Sequence, residues 1–280
     1  MLPFAAGCDL LENGTEPTPI GREVVYDALG ASDTIGYGSS NPCLPLIDCT
    51  TGPGYVQQVT RRLQADGRQV SLRNHGWPGA VLSPETQALL QSMGGCQAQG
   101  TDVCRNLLLE GAPYVRRSAT LVTMFIGAND VNAIGRAVRS GRTGGLDQAA
   151  FIQSQIEKFA RDIQEAATTI RSRAPEARLI VLNLPNMANT PYASGFTVAE
   201  KRVLQQLSVG FSAGINALAG QNAVVVDLMC DGNFYNPALF SSDGFHPNDT
   251  GYNYLTERVY SAVTGSVTAP RSSCGFMTVF

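Results

Sequence analysis

Short apolar runs alternate with longer amphipathic stretches along this chain, and few folds accommodate that order. Val24–Leu29, Val70–Leu72, Leu121–Ile126, Leu179–Leu184 and Ala223–Leu228 read as strands. Tyr55–Ala65, Pro84–Met93, Phe151–Arg173, Val198–Leu218 and Gly251–Val263 read as helices. In the first helix Val56, Val59 and Leu63 are spaced by three and four. In the third, the stripe is Phe151, Ile152, Ile156, Phe159, Ala160, Ile163 and Ala167. Strands separated by helices imply a parallel sheet with right-handed crossovers. The strands lack polar–apolar alternation, as expected when helices cover both faces. The predicted fold class is therefore α/β. The first twenty residues read as an N-terminal tail or tether, and residues 21–280 as a single domain. Hydrophobic residues make up 44 % of the chain, enough to fill such a core.

In an open α/β sheet, chemistry sits beyond the carboxyl ends of the strands. Leu29-Gly30-Ala31-Ser32-Asp33-Thr34-Ile35-Gly36-Tyr37-Gly38 follows the first strand. It puts a serine on a glycine-flanked turn whose small neighbours let a substrate reach the hydroxyl. A lone serine in such a place is more often a turn or cap residue. Asn74-His75-Gly76-Trp77-Pro78-Gly79 follows the second strand, and Gly127-Ala128-Asn129-Asp130 follows the third. A glycine N–H and an asparagine amide are donors of the kind an oxyanion hole needs. Each alone is ordinary loop chemistry. Asp243-Gly244-Phe245-His246-Pro247 follows the fifth strand. A carboxylate three residues before a histidine can fold back onto the ring Nδ1–H. That fixes the tautomer and leaves Nε2 free as a base. The plainer reading is an exposed histidine ahead of a helix capped by Asn248 or Asp249.

In this order, after these strands, the blocks resemble those of the SGNH (GDSL-like) hydrolases. Gly30-Ala31-Ser32 with Gly36-Tyr37-Gly38 is similar to the family's first block, Gly79 to the glycine of its second, Gly127-Ala128-Asn129-Asp130 to its Gly-x-Asn-Asp and Asp243-Gly244-Phe245-His246 to its Asp-x-x-His. Leu184-Pro185-Asn186 and the Val224–Asp227 strand look similar too, so the resemblance runs from about Val24 to Val263. It implies a flavodoxin-like three-layer α/β/α sandwich with a five-stranded parallel sheet. It also implies a serine ester hydrolase acting through an acyl-enzyme, without metal or cofactor. By the same resemblance Ser32 is the nucleophile, His246 the base and then the acid, and Asp243 the residue that orients His246. The N–H groups of Ser32 and Gly79 and the Asn129 side chain form the oxyanion hole. Ala31 departs from the family, which usually has Asp before the serine; an Asp follows instead, as Asp33.

Short-chain acyl or acetyl esters are the expected substrates, with lipid and carbohydrate esters open. An acyltransferase begins with the same acyl-enzyme, and an idle secreted binding protein could share the scaffold; both remain alternatives. Tyr37, Trp77 and Phe245 adjoin the predicted catalytic residues and are candidate walls of an acyl pocket, or plain packing residues. Ile134 to Gly145 reads as a rim loop whose Arg136, Arg139 and Arg142 attract anionic substrates, or as a solvated loop. Gly210-Phe211-Ser212-Ala213-Gly214 fits a nucleophile elbow, but such an elbow joins a strand to a helix and this one falls inside a helical pattern.

Net charge is −3 and no Lys/Arg block stands out, which argues against nucleic acid as a partner. No apolar run is long enough for a transmembrane segment. With two histidines and no Cys-x-x-Cys pair, a structural zinc site is not expected. Cys43 with Cys49, Cys96 with Cys104, and Cys230 with Cys274 form a plausible disulfide set among about fifteen connectivities; buried free thiols are the alternative. Ala5-Ala6-Gly7-Cys8 resembles the end of a bacterial lipoprotein signal, although the apolar stretch before it, Leu2 to Ala6, is short for one. Cys8 is thus a candidate lipid anchor or simply the odd cysteine. The expected location is outside the cytoplasm: secreted, periplasmic or as a surface lipoprotein. Asn13-Gly14-Thr15 and Asn248-Asp249-Thr250 fit the N-glycosylation pattern.

Overall fold

Five strands form one parallel sheet in the computed structural model, which describes residues 20–45, 47–98, 101–102, 104–265 and 268–280. The strands are β1 (Glu23–Gly30), β2 (Gln69–Gly76), β5 (Leu121–Phe125), β6 (Arg178–Leu182) and β7 (Ala223–Val226). Their order across the sheet is β2-β1-β5-β6-β7, the flavodoxin-like order. Every residue of β5, β6 and β7 is buried, which explains the unbroken apolar runs. A short antiparallel pair, β3 (Gln97–Ala98) and β4 (Thr101–Asp102), lies outside this sheet.

The helices are α1 (Tyr55–Ala65), α2 (Pro84–Ser92), α3 (Leu107–Glu110), α4 (Ala128–Arg139), α5 (Gln148–Arg173), α6 (Val198–Asn216) and α7 (Asp249–Thr264). The chain winds from β1 to β2 in one direction and then from β5 to β7 in the other. Right-handed crossovers in opposite directions put helices on opposite faces. Accordingly α1 packs on α7, while α5 packs on α6 and α6 on α4. The only buried charge on β6, Arg178, reaches the end of α7 and donates to the carbonyls of Ala262 (2.8 and 3.0 Å) and Gly265 (2.7 Å). Helix C-termini leave such carbonyls unpaired and carry partial negative charge, so the guanidinium serves both needs.

Disulfides join Cys43 to Cys49, Cys96 to Cys104 and Cys230 to Cys274, the pairing set out from the sequence. The third spans 44 residues and fastens the C-terminal tail under α6. There Gln205 Oε1 accepts from Val279 N and Phe280 N at 2.8 and 3.0 Å, and Gln205 Nε2 donates to Phe280 O at 2.7 Å. Closing a loop of that length removes about 4 kcal/mol of unfolded-chain entropy in the loop-closure model. Among the described residues no helix is long and apolar enough to cross a membrane. Cys8, the Asn13 sequon and the expected N-terminal tail, apart from Ile20, lie outside the described residues.

Several boundaries differ from the sequence reading. β2 continues to Gly76, so Asn74 and His75 lie within the strand and not after it. Residues 134–139 are the second half of α4; of the stretch expected to be loop, Ile134 to Gly145, only 140–145 lie outside the helix. Val131, Ala133, Ile134 and Ala137 give α4 a buried stripe that carries the helix past Arg136. The Asn248 sequon is occupied structurally: its side chain caps α7 at Gly251 N (3.0 Å) and donates to Ala238 O and Phe240 O (2.9 Å each).

Candidate active site

The chain reverses its winding between β1 and β5, and in such a sheet the carboxyl ends of these two strands are where a ligand crevice forms. The segment after β1 turns sharply across it. Gly30 has φ +153°, and a Cβ there would lie 2.3 Å from both Phe125 O and Thr34 Oγ1, so no other residue lets the two strands approach this closely. Ser32 to Ile35 then form one turn of 3-10 helix. Thr34 N donates to Ala31 O, and Tyr37 N to Ser32 O. Asn74 braces the turn from β2: its Nδ2 donates to Thr34 O at 3.0 Å while its Oδ1 accepts from Gly76 N at 2.8 Å. Ala31, buried and tied to Phe125 O by its N–H, thus needs no carboxylate to hold the turn.

Ser32 Oγ lies 2.8 Å from His246 Nε2. His246 Nδ1 lies 2.6 Å from Asp243 Oδ2. The other carboxylate oxygen, Oδ1, accepts from Ser241 Oγ (2.8 Å), Phe245 N (2.8 Å) and His246 N (2.9 Å). Partial burial works to raise the Asp243 pKa. The hydrogen bonds from the His246 ring and backbone, Ser241 and Phe245 outweigh it and hold the carboxyl at about 2. The three residues come from β1's far end and from the loop before α7, and Gly38 makes their meeting possible. With φ +92°, Gly38 sits where a Cβ would lie 2.6 Å from His246 Cβ and 2.8 Å from Pro247 O. Tyr252, buried in α7, donates to Tyr37 O at 2.6 Å and closes the same junction. Sequence reasoning missed Ser241, Asn74 and Tyr252 as supports; only the closeness of Ser241 to Asp243 offered any signal.

Trp77-Pro78-Gly79-Ala80 is a type II turn: Ala80 N donates to Trp77 O at 3.0 Å, Pro occupies the second position and Gly79 has φ +76° at the third. Such a turn does not use the N–H of its third residue, so that of Gly79 stays out of the turn's own bond. Asn129, in the first turn of α4, donates from Nδ2 to Ala80 O at 2.9 Å, which ties the two predicted donors to one another. Tyr37 and Phe245 flank the imidazole, with ring centroids 4.7 and 4.8 Å from that of His246. Trp77 is not with them; it lines a separate hollow with Leu29 and Leu107, where Arg105 lies 5.1 Å over its ring.

Two buried carboxyls stand behind the site. Burial pushes the Asp33 carboxyl up, while attraction to His246 pulls it back. Asp130 is pushed up to about 7, first by burial; the Leu82 N–H, its own N–H and Thr86 oppose this, and Asp162 adds to it. Native Asp130 therefore keeps a proton that the unfolded chain releases above about pH 3.9. Its contribution to stability is fully present below that value and is lost as pH rises to about 7, a swing of roughly 4 kcal/mol. Asp130→Asn is expected to gain Tm relative to the unmodified protein from pH 5 to 7 and to level off above 8. A Tm difference that stays constant over this range would refute the assignment.

Ser212 stands apart from all this. It is 0 % exposed in the C-terminal half of α6. Its Oγ donates to Leu184 O at 2.9 Å and accepts from Leu184 N at 3.1 Å. The flanking glycines serve helix packing: a Cβ on Gly210 would lie 2.7 Å from Ile156, and one on Gly214 3.1 Å from Ala160 Cα, both on α5.

A serine, a histidine and a carboxylate thus stand hydrogen-bonded in series beside a parallel α/β sheet, a set able to activate a hydroxyl. Residues 28–254 match the GDSL-like Lipase/Acylhydrolase family, and the chain belongs to that family. Among solved structures it is similar to the lipase Lip_vut3 from a goat rumen metagenome, at 19 % identity and TM-score 0.58 over 86 % of this chain and 98 % of that one. It is similar also to an extracellular lipase from Streptomyces rimosus (16 % identity, TM-score 0.54, 85 % and 99 %). A phospholipase A1 from Streptomyces albidoflavus NA297 shows the same likeness (18 % identity, TM-score 0.52, 85 % and 99 %). No curated protein matches the sequence.

Proposed function

We propose that this protein hydrolyses carboxylic esters through an acyl-enzyme formed on Ser32. The observation that carries the reading is the chain of hydrogen bonds from Ser32 Oγ to His246 Nε2 (2.8 Å) and from His246 Nδ1 to Asp243 (2.6 Å). His246 takes the Ser32 proton as Oγ attacks the ester carbonyl carbon. The carbonyl oxygen becomes an oxyanion, held by the N–H groups of Ser32 and Gly79 and by Asn129 Nδ2, each contributing on the order of 3 kcal/mol. Collapse of the intermediate breaks the bond to the alkoxy group, which leaves with the proton from His246. Water, deprotonated by His246, then frees the acid and restores Ser32. Asp243, ionised down to about pH 2, stabilises the imidazolium at both steps.

Tyr37 and Phe245 flank the imidazole from two sides and are proposed to line the path of the substrate beside it. Three disulfides suit an oxidising compartment, so the working location is outside the cytoplasm. A fluorophosphonate ester tests the nucleophile directly. Phosphonylation is expected at one site per chain, with the peptide containing Ser32 carrying the added mass. An adduct on Ser212, or none in a folded protein, would overturn the reading.

A further inference from the structure

A groove of about 280 Å³ runs along α4, lined by Asn132, Arg136, Arg139, Phe196, Glu200 and Leu204. A row of rings joins it to the candidate active site. Phe245 lies 4.8 Å from His246, Tyr192 lies 5.0 Å from Phe245, and Phe196 lies 5.2 Å from Tyr192. The Tyr192 hydroxyl donates to Asn132 Oδ1 at 2.8 Å and so fixes that row to α4. At 1.5 Å per residue, Arg136 lies ~10 Å along α4 from Asn129, the expected oxyanion donor.

The charges in the groove do not cancel. Glu200 Oε1 accepts from Arg139 at 3.2 Å, and its Oε2 is held at the start of α6 by Thr197 N and Thr197 Oγ1 at 2.8 Å each. The guanidinium of Arg136, half-buried, has no ion pair and no hydrogen-bond acceptor among the described residues. Both arginines act on the Tyr192 hydroxyl, so their field reaches the apolar path toward His246. Arg142, grouped with them on sequence, instead donates to Ser92 O at 2.9 Å and faces away from this task.

We propose that this groove is a distal subsite for an anionic group, carboxylate or phosphate, carried by the ester substrate at the end of an apolar spacer of medium length. The inference rests on the ester-hydrolase reading above. Phe245, Tyr192 and Phe196 offer the spacer an apolar wall, and Arg136 offers its end an unpaired cation. An isolated half-buried guanidinium gains more from an anion than a fully solvated one does, because water screens it less. Glu200, by pairing Arg139, leaves one net positive charge to be matched.

Inactive Ser32→Ala protein tests the subsite without turnover. Isothermal titration would compare 4-nitrophenyl hydrogen suberate with its neutral methyl ester, which places the anion on the acyl side. 8-Acetoxyoctanoic acid against its neutral methyl ester places it on the alcohol side. At low ionic strength the anionic member of one pair is expected to bind roughly tenfold tighter, a preference lost on adding Arg136→Gln. Adding Glu200→Gln instead keeps the capping oxygen at the helix start but frees Arg139, and is expected to raise the preference. The pair that responds identifies the side of the ester that enters the groove. Equal anion-to-neutral ratios with and without Arg136, in both pairs, would overturn the proposal, as would a ratio unmoved by Glu200→Gln should the Arg136 variant fail to fold. Failure of the hydrolase reading would show differently, as turnover of these esters that survives Ser32→Ala.

Discussion

Ser32→Ala is expected to lower kcat/KM for 4-nitrophenyl acetate and butyrate by on the order of 10⁴-fold or more, with an unchanged far-ultraviolet spectrum and Tm. The loss is large because no other group occupies the position 2.8 Å from His246 Nε2. Without Oγ, catalysis reverts to oxyanion binding acting on free water. The fold is indifferent to the change, since the turn at Ser32 is held by main-chain bonds and by Asn74, none of which uses the hydroxyl. Ser212→Ala should behave in the opposite way. It strips a buried donor and acceptor from Leu184 O and N, costing about 1–3 kcal/mol of stability. It leaves the candidate site untouched. The two variants, assayed side by side, separate a nucleophile from a packing serine. Loss of activity in Ser212→Ala alone would refute the assignment.

The fold was legible because its strongest signals are local. Strands β5 and β6, buried on both faces, leave no room for polar residues, so they read as unbroken runs. α1 shows its stripe at regular spacing and begins and ends where that spacing does. The blocks carrying Ser32, Gly79, Asn129, Asp243 and His246 were visible because each follows a strand of a sheet whose geometry dictates where chemistry can collect. What escaped was the part of each assignment that depends on partners distant in sequence. β2 runs four residues beyond its apolar core because it pairs with β1 through Gly30 and Gly76, and pairing leaves no mark on the sequence of one strand. α4 extends to Arg139 although Gly135 interrupts it, because Leu204 of α6 lies against that glycine and α6 packs along the helix. Arg136, Arg139 and Arg142 look alike in sequence. Only the fold gives one to Ser92, pairs another with Glu200 and leaves the third without a partner among the described residues. Trp77 adjoins Gly79 in sequence but, two residues away on the other side of a tight turn, faces a different hollow.

Asp243→Asn is expected to cost about 10³- to 10⁴-fold in kcat, although the two side chains have nearly the same shape. The direction follows from the donors already in place. Ser241 Oγ, Phe245 N and His246 N all point at Oδ1, so the amide oxygen of an asparagine must take that position. Its Nδ2 then faces His246 Nδ1, which can only accept. The ring proton is forced to Nε2, where it points at Ser32 Oγ and blocks the step in which Nε2 should take the serine proton. Asp243→Ala loses the orienting group without imposing the wrong tautomer, so it is expected to retain no less activity than Asp243→Asn. The same hydrogen bonds give a second, independent readout. Asp243 titrates near 2 when folded and near 3.9 when unfolded. A depressed folded pKa stabilises the native state above the unfolded value and ceases to do so as pH falls toward 2. The Tm advantage of the unmodified protein over Asp243→Asn should therefore hold from neutral pH to about 4 and shrink below it. An advantage that persists undiminished at pH 2, or an asparagine variant that keeps near-normal kcat, would show that the carboxylate does not govern the imidazole.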